Sequence, residues 1–165
     1  MQSKLPSKQL LFGLSAIAAL SLISSTVASI QISSTEFQCL LSEQTFQLQW
    51  IHSVEKELWQ ESYTISDQQL LLTTTDFKTF GAGTPSNETV ITSKDGWLNY
   101  QVNRLIPRIN WVVSRNVEST ILTELGAWPL YLDVNDYAEI QIQVMQVPRW
   151  HYFTQESCDD YFKRS

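Results

Sequence analysis

Residues 45–50 read Thr-Phe-Gln-Leu-Gln-Trp, and residues 139–144 read Glu-Ile-Gln-Ile-Gln-Val. In both stretches a large apolar side chain alternates with a polar one. Because successive side chains of a β-strand point to opposite faces of the sheet, this alternation predicts strands with one buried and one solvated face. The two stretches therefore predict antiparallel sheets that bury one face each.

Other segments repeat this pattern at short intervals, and the whole set predicts about eight strands. Turn-forming residues such as Asp95-Gly96 separate the segments. Residues 99–106 allow a turn or two of helix before Pro107. Since few helices are available to cover the strands, the predicted fold is all-β: a single-domain antiparallel sandwich or small barrel.

The first 28 residues have the composition of an export signal. Lys4 and Lys8 precede an apolar stretch over residues 10–23, and the small residues at 26–28 suit cleavage after Ala28. We therefore predict a signal peptide over residues 1–28. Residues 10–30 are 21 residues without a charge, so an uncleaved membrane anchor is the alternative.

The chain after this leader has the length of one domain and an acidic balance. Its 137 residues carry 9 basic and 17 acidic side chains, a net charge of −8. Nucleic acids and anionic membrane surfaces attract clustered Lys and Arg, so neither is expected as a partner. We predict a β-rich globular domain over residues 37–154 and a C-terminal tail over residues 155–165.

Cys39 and Cys158 lie near the two ends of the predicted domain, and domain ends are often neighbours in space. In an oxidising compartment they would form a disulfide, and two separate thiols are the alternative. The chain has two cysteines and two histidines, with no close ligand spacing among them. No metal site and no cofactor are expected.

The sequence resembles a bacterial family of exported domains of unknown function. Two ordered blocks carry the resemblance: the His-Ser-Val-Glu-Lys element at residues 52–56, and a Gly-Ala-Gly-x-Pro turn at residues 81–85 that is followed by Asp95-Gly96. Such domains are typically encoded beside tripartite ATP-independent periplasmic (TRAP) transporters of the TAXI type. The resemblance implies a periplasmic location, with the inner membrane as the place of any anchor, and TRAP receptor or membrane subunits as partners. It implies no activity.

Polar residues around one predicted hairpin are the candidates for a binding site. His52, Glu55 and Glu61 would come together where the chain turns back after Trp50, and Gly81 and Gly83 could add backbone N–H groups. A carboxylate beside an imidazole can take up a proton or hold an amine. The alternative is that His52 is a structural residue that hydrogen-bonds at the hairpin corner.

Two of the six tryptophans occupy turn contexts. Trp97 follows Asp95-Gly96, and Trp128 precedes Pro129. Aromatic side chains are frequent anchors of protein interfaces, so both are candidates for a partner surface.

Three functions follow from these features. The leading prediction is a non-enzymatic periplasmic accessory domain of a TAXI-type TRAP uptake system. The alternative is a small-molecule binding module that uses the residues around His52. A hydrolytic enzyme is least supported, because adjacent His52 and Ser53 on a strand would point to opposite faces and no nucleophile elbow is present.

Overall fold

The computed structural model describes residues 25–78, 89–94, 96–152 and 154–163, with the backbone alone over residues 89–94. The helices in these residues are short: α1 (Leu130–Asp133), α2 (Arg149–Tyr152) and α3 (Asp159–Phe162). The strands are β1 (Thr26–Ser33), β2 (Gln38–Leu41), β3 (Thr45–Ile51), β4 (Leu58–Ser66), β5 (Gln69–Phe77), β6 (Thr89–Lys94), β7 (Trp97–Ile106), β8 (Arg108–Val112), β9 (Thr120–Thr123), β10 (Gly126–Pro129) and β11 (Glu139–Pro148).

The strands form two antiparallel sheets. One has the order β2-β1-β11-β8, and the other has the order β10-β9-β3-β4-β5-β7-β6. The all-β antiparallel prediction is confirmed, and the two separate sheets make the fold a sandwich. More strands are present than the eight predicted. β2 and β10 are four residues long and too short to show alternation, and β1 begins inside the segment assigned to the export signal.

Residues 99–106, for which a short helix was allowed, belong to β7. Leu98 and Tyr100 pair with Phe77 and Thr75 of β5, and the other edge of β7 pairs with β6. The register of β5 and β7 shifts next to Asn103, which has a positive φ of 52°. Pairing with two neighbouring strands therefore decides the conformation of this segment against its local pattern.

The core lies between the inner faces of the two sheets. Ile30, Ile32 and Ile142 come from the four-stranded sheet, and Leu48 and Ile121 come from the seven-stranded sheet; all five are fully buried. Phe46 and Leu48 are buried while Gln47 and Gln49 are not, as the alternation predicts. Burial of this apolar row is what drives the two sheets together.

The folded unit extends beyond residues 37–154 on both sides. β1 pairs with β11 along its whole length, from Thr26 opposite Pro148 to Ser33 opposite Gln141. The predicted cleavage after Ala28 lies within β1, so it would leave a strand beginning at Ser29. The signal peptide stays a prediction, because residues 1–24 lie outside the described residues.

The C-terminal segment is docked on the sandwich. A disulfide joins Cys39 to Cys158, which confirms the predicted bridge over the alternative of two separate thiols. Leu40 exchanges backbone hydrogen bonds with this segment, donating to Glu156 and accepting from Cys158. Phe162 is 3% exposed and contacts the ring of Trp128. The apolar residues of the segment thus bury themselves against the core rather than forming a free tail.

Candidate functional site

The corner between β3 and β4 is a tight, hydrogen-bonded turn. His52 donates its backbone N–H to Glu57 and accepts at its carbonyl from Lys56, with N···O distances of 2.8 and 3.0 Å. Lys56 has a φ of 57°, in the left-handed region that lysine seldom adopts. The corner is therefore held in one conformation by backbone bonds at both of its ends.

The side chain of His52 closes this turn. Its Nδ1 contacts Oε2 of Glu55, and the backbone N–H of Glu55 lies 3.4 Å from the same nitrogen. The imidazole stacks on Trp59 of β4, with 4.7 Å between ring centroids and 23° between planes. Both partners of the pair are half-buried, with exposures of 17% and 16%. The predicted pairing of His52 with Glu55 is present.

Aromatic rings continue from His52 across three strands. Trp59 stacks on Phe77 of β5 at 4.9 Å, and Phe77 stacks on Tyr100 of β7 at 5.2 Å. Within the described part of the chain, the buried Nε1 of Trp59 has no hydrogen-bond acceptor. A buried indole N–H usually has one, so this donor is available to a carbonyl or carboxylate that reaches it.

Glu61 is a carboxyl group on the inner face of β4, between the buried side chains of Trp59 and Tyr63. Its cross-strand partners are the buried Leu48 of β3 and Thr75 of β5. Burial raises the pKa of Glu61, while hydrogen bonds from Tyr63 and Thr75 and the positive charge of Arg104 oppose that rise. Burial, and then the charge of Glu61, raises the pKa of Tyr63 as well. The phenol therefore stays protonated and donates to the carboxylate.

The predicted polar cluster is thus two clusters on one face. His52 and Glu55 lie at the hairpin corner, and Glu61 lies deeper along β4, beyond Trp59, with Tyr63, Thr75 and Arg104. The alternation of β4 places Tyr63 on the same side as Glu61, so that partner could have been found in the sequence. Thr75 and Arg104 belong to β5 and β7, and their proximity depends on strand order. Gly81 and Gly83 lie outside the described residues.

Trp128 is a core residue and not the partner-surface residue that its place before Pro129 suggested. It is fully buried, stacks on Tyr161 at 4.3 Å, and donates from Nε1 to Asp133 at 2.8 Å. The docked C-terminal segment supplies the cover that the turn context did not predict. A buried ring of this kind offers no contact to a partner.

Trp97 has a different environment. It lies three residues before the buried Tyr100, so it faces the outer side of the seven-stranded sheet. Its ring is half-buried, with Nζ of Lys78 lying 5.3 Å from the centroid. Because the ring is only half-buried, a partner can still reach it beside the Lys78 ammonium group. Trp97 therefore stays a candidate contact residue.

The groups of this site can take up a proton, at the Glu61 carboxyl, and form hydrogen bonds. The ranges with described side chains hold no group of three or more His, Cys, Asp or Glu side chains placed to bind a metal ion. Within the same ranges no helix has the length and apolar character needed to cross a membrane. What the geometry provides is a protonatable carboxyl at Glu61, a phenol donor beside it, and an indole N–H nearby.

Comparison with known proteins identifies a family. No curated protein and no solved structure matches the chain significantly. The profile of the domain of unknown function DUF1850 matches residues 46–130, about half of the chain. This range begins in β3 and ends at the first residue of α1, so it contains the hairpin corner, Glu61 and Tyr63. The chain accordingly belongs to the DUF1850 family of domains of unknown function.

Proposed function

We propose that this chain is a non-enzymatic periplasmic accessory domain that binds a subunit of a TAXI-type TRAP uptake system. The contact surface in this proposal is the corner between β3 and β4, with residues 52–57. The corner holds the His-Ser-Val-Glu-Lys element, on which the resemblance to exported domains encoded beside such transporters rests.

The observation that carries the proposal is a hydrogen-bonded turn with an apolar tip. Val54 is 69% exposed, while the His52–Glu55 contact and the backbone bonds of His52 hold the turn on either side of it. An exposed apolar side chain on an ordered turn loses little conformational entropy when a partner covers it. The arrangement suits a small, specific contact.

The compartment is consistent with this role. The Cys39–Cys158 disulfide ties the N-terminal part of the fold to its last segment. Disulfides persist in oxidising compartments such as the bacterial periplasm. The export signal predicted over residues 1–28 would deliver the chain there.

Site-specific photo-crosslinking in cells tests the proposal. A photoreactive residue in place of Val54 should capture a TRAP receptor or membrane subunit, identified by mass spectrometry. The matched control is Gln68, an exposed residue in the turn between β4 and β5 at the opposite end of the same hairpin strand. Equal capture from both positions, or capture of no TRAP subunit from Val54, would contradict the proposal.

A second candidate, a small-molecule binding module, is favoured by the buried indole N–H of Trp59, which lies between His52 and Glu61 and has no acceptor among the residues that the structure describes. A ligand with a carboxylate and an amine would find a donor at Trp59 and an acceptor at Glu61. Ligand binding raises the melting temperature by mass action, so thermal-shift screening with amino acids and organic acids tests this function. A melting-temperature rise that H52A or E61Q abolishes would support it. An equal rise in both variants and in the wild type would exclude these residues as the site.

A further inference from the structure

A concave region lies on the outer face of the seven-stranded sheet, opposite the inner face that carries Glu61. It is a depression of about 410 Å³ that crosses β9, β3, β4 and β5. Thr45 and Gln47 of β3 line it together with Ser62 and Thr64 of β4. These residues alternate with the buried Phe46 and Tyr63, which places them on the side of the sheet away from the core.

A β-bulge shapes this depression. The pairing of β4 with β5 shifts register at Ser62, so Ser62 faces Thr74 while Tyr63 faces Leu72. Thr73 is the extra residue, and its hydroxyl donates to the carbonyl of Ser62 at 3.0 Å. A bulge bends its strand and re-aims a side chain, and bulges are frequent beside binding sites. Here the bulge turns the Thr73 side chain toward the depression.

The floor of the depression combines neutral hydrogen-bonding groups with apolar surface, to which Leu122 of β9 contributes. The amide of Gln47 donates to the hydroxyl of Ser62 at 3.4 Å, and the hydroxyls of Thr45, Thr64 and Thr73 lie around them. Hydroxyl groups both donate and accept, and an amide does so at fixed positions. A surface with hydroxyl and amide groups beside apolar patches is matched by a ligand that carries several hydroxyl groups on a carbon ring, as a sugar does.

The rim adds negative charge. Glu43 and Glu124 line the depression, and no Lys, Arg or His does so in the described part of the chain. The carboxylate of Glu43 accepts backbone N–H bonds from Glu124 and Leu125 at 3.1 and 3.2 Å, which fixes its position. Together with the net charge of −6, this rim attracts cations and repels anions.

We propose that this outer depression binds a small polyhydroxylated solute that carries a positive charge, as an amino sugar does. The hydroxyl groups of the ligand would bond to Gln47, Ser62 and Thr64, and its ammonium group would lie at the rim beside Glu43 and Glu124. The volume falls within the range of small-molecule sites. The proposal is independent of the hairpin corner and of any transporter subunit, because it uses the other face of the sheet.

The test is isothermal titration calorimetry of the purified protein with three sugars that are similar in size and differ in charge. Glucosamine should bind most tightly, glucose more weakly, and glucuronate least, because the charge of the ligand meets the carboxylates of the rim. Q47L should weaken glucosamine binding by about fivefold to tenfold, since it removes an amide from the floor. E124Q should reduce the difference between glucosamine and glucose.

Gln49 provides the matched control. It lies on the same face of β3, and its amide donates to Gln60 at 3.0 Å, outside the depression. Q49L should leave glucosamine binding unchanged. T64V, which replaces one floor hydroxyl by a methyl group, serves as a second variant if Q47L fails to fold. Absence of glucosamine binding, equal losses in Q47L and Q49L, or tighter binding of glucuronate than of glucosamine would each overturn the proposal.

Discussion

The phenol of Tyr63 donates a hydrogen bond to the carboxylate of Glu61, two residues earlier on the inner face of β4. The two groups form a polar pair inside a row of buried side chains, where the desolvation cost of a negative charge is high. Because burial raises the pKa of Glu61, this pair makes the stability of the fold depend on pH.

Replacing Glu61 with Gln should raise the free energy of unfolding at neutral pH. The folded chain binds the Glu61 proton more tightly than the unfolded chain, whose carboxyl titrates near its ordinary value of 4.5. The contribution of Glu61 to wild-type stability is therefore fully present below that pH, and it is lost as the pH rises through the folded-state pKa. Urea unfolding between about pH 4 and pH 8 should show this decline in the wild type and its loss in E61Q.

The control for this experiment is E139Q, which changes an exposed glutamate at the start of β11. The E139Q chain should keep the wild-type dependence of stability on pH. An E61Q chain with the same dependence as the wild type would show that Glu61 is not the group responsible.

Replacing Tyr63 with Phe should raise the pKa of Glu61 further, because the hydrogen bond from Tyr63 is the largest of the effects that lower it. The free energy of unfolding at neutral pH should fall by about 1.5–3 kcal/mol, the usual value for a hydrogen bond to a charged group. The stacking with Phe46, at 5.0 Å between centroids, should be retained. Carbon-13 NMR titration of the glutamate carboxyls measures the shift. Y137F, at a tyrosine that is 73% exposed, should leave the titration of Glu61 unchanged.

Removal of the disulfide should destabilise the whole sandwich. The bridge closes a loop with a sequence separation of 119, so the C39S/C158S chain should lose about 2–5 kcal/mol of unfolding free energy. Denaturant unfolding of the two chains under oxidising conditions measures the difference. Dithiothreitol should lower the stability of the wild type and leave that of the double variant unchanged. A wild type indifferent to the reductant would contradict this prediction.

The two tryptophans in turn contexts should respond differently to truncation. W128A should cost about 3–5 kcal/mol, because it opens a cavity beneath the C-terminal segment. W97A should cost about 1 kcal/mol or less, since a half-exposed ring under Lys78 contributes mainly a cation–π contact. Thermal unfolding of both variants checks the contrast, and similar losses would mean that Trp97 is also part of the core.

Several features of this protein follow from local sequence. The alternation of Phe46, Leu48 and their neighbours determines that β3 buries one face, and a strand needs no distant partner to show this pattern. The same alternation places Tyr63 beside Glu61 on β4. The contact between His52 and Glu55 is also local, because both residues lie in one short turn.

Tertiary structure decided the rest. Thr75 joins Glu61 only because β5 lies beside β4. Trp128 is buried because Phe37 and the disulfide-linked segment from Cys158 onward pack against it. The segment at residues 99–106 is a strand because β5 and β6 pair with it. Periodicity records which side of a segment faces the core, but strand order and the docking of the chain ends depend on residues far apart in sequence. Those contacts determine which polar groups meet in the interior.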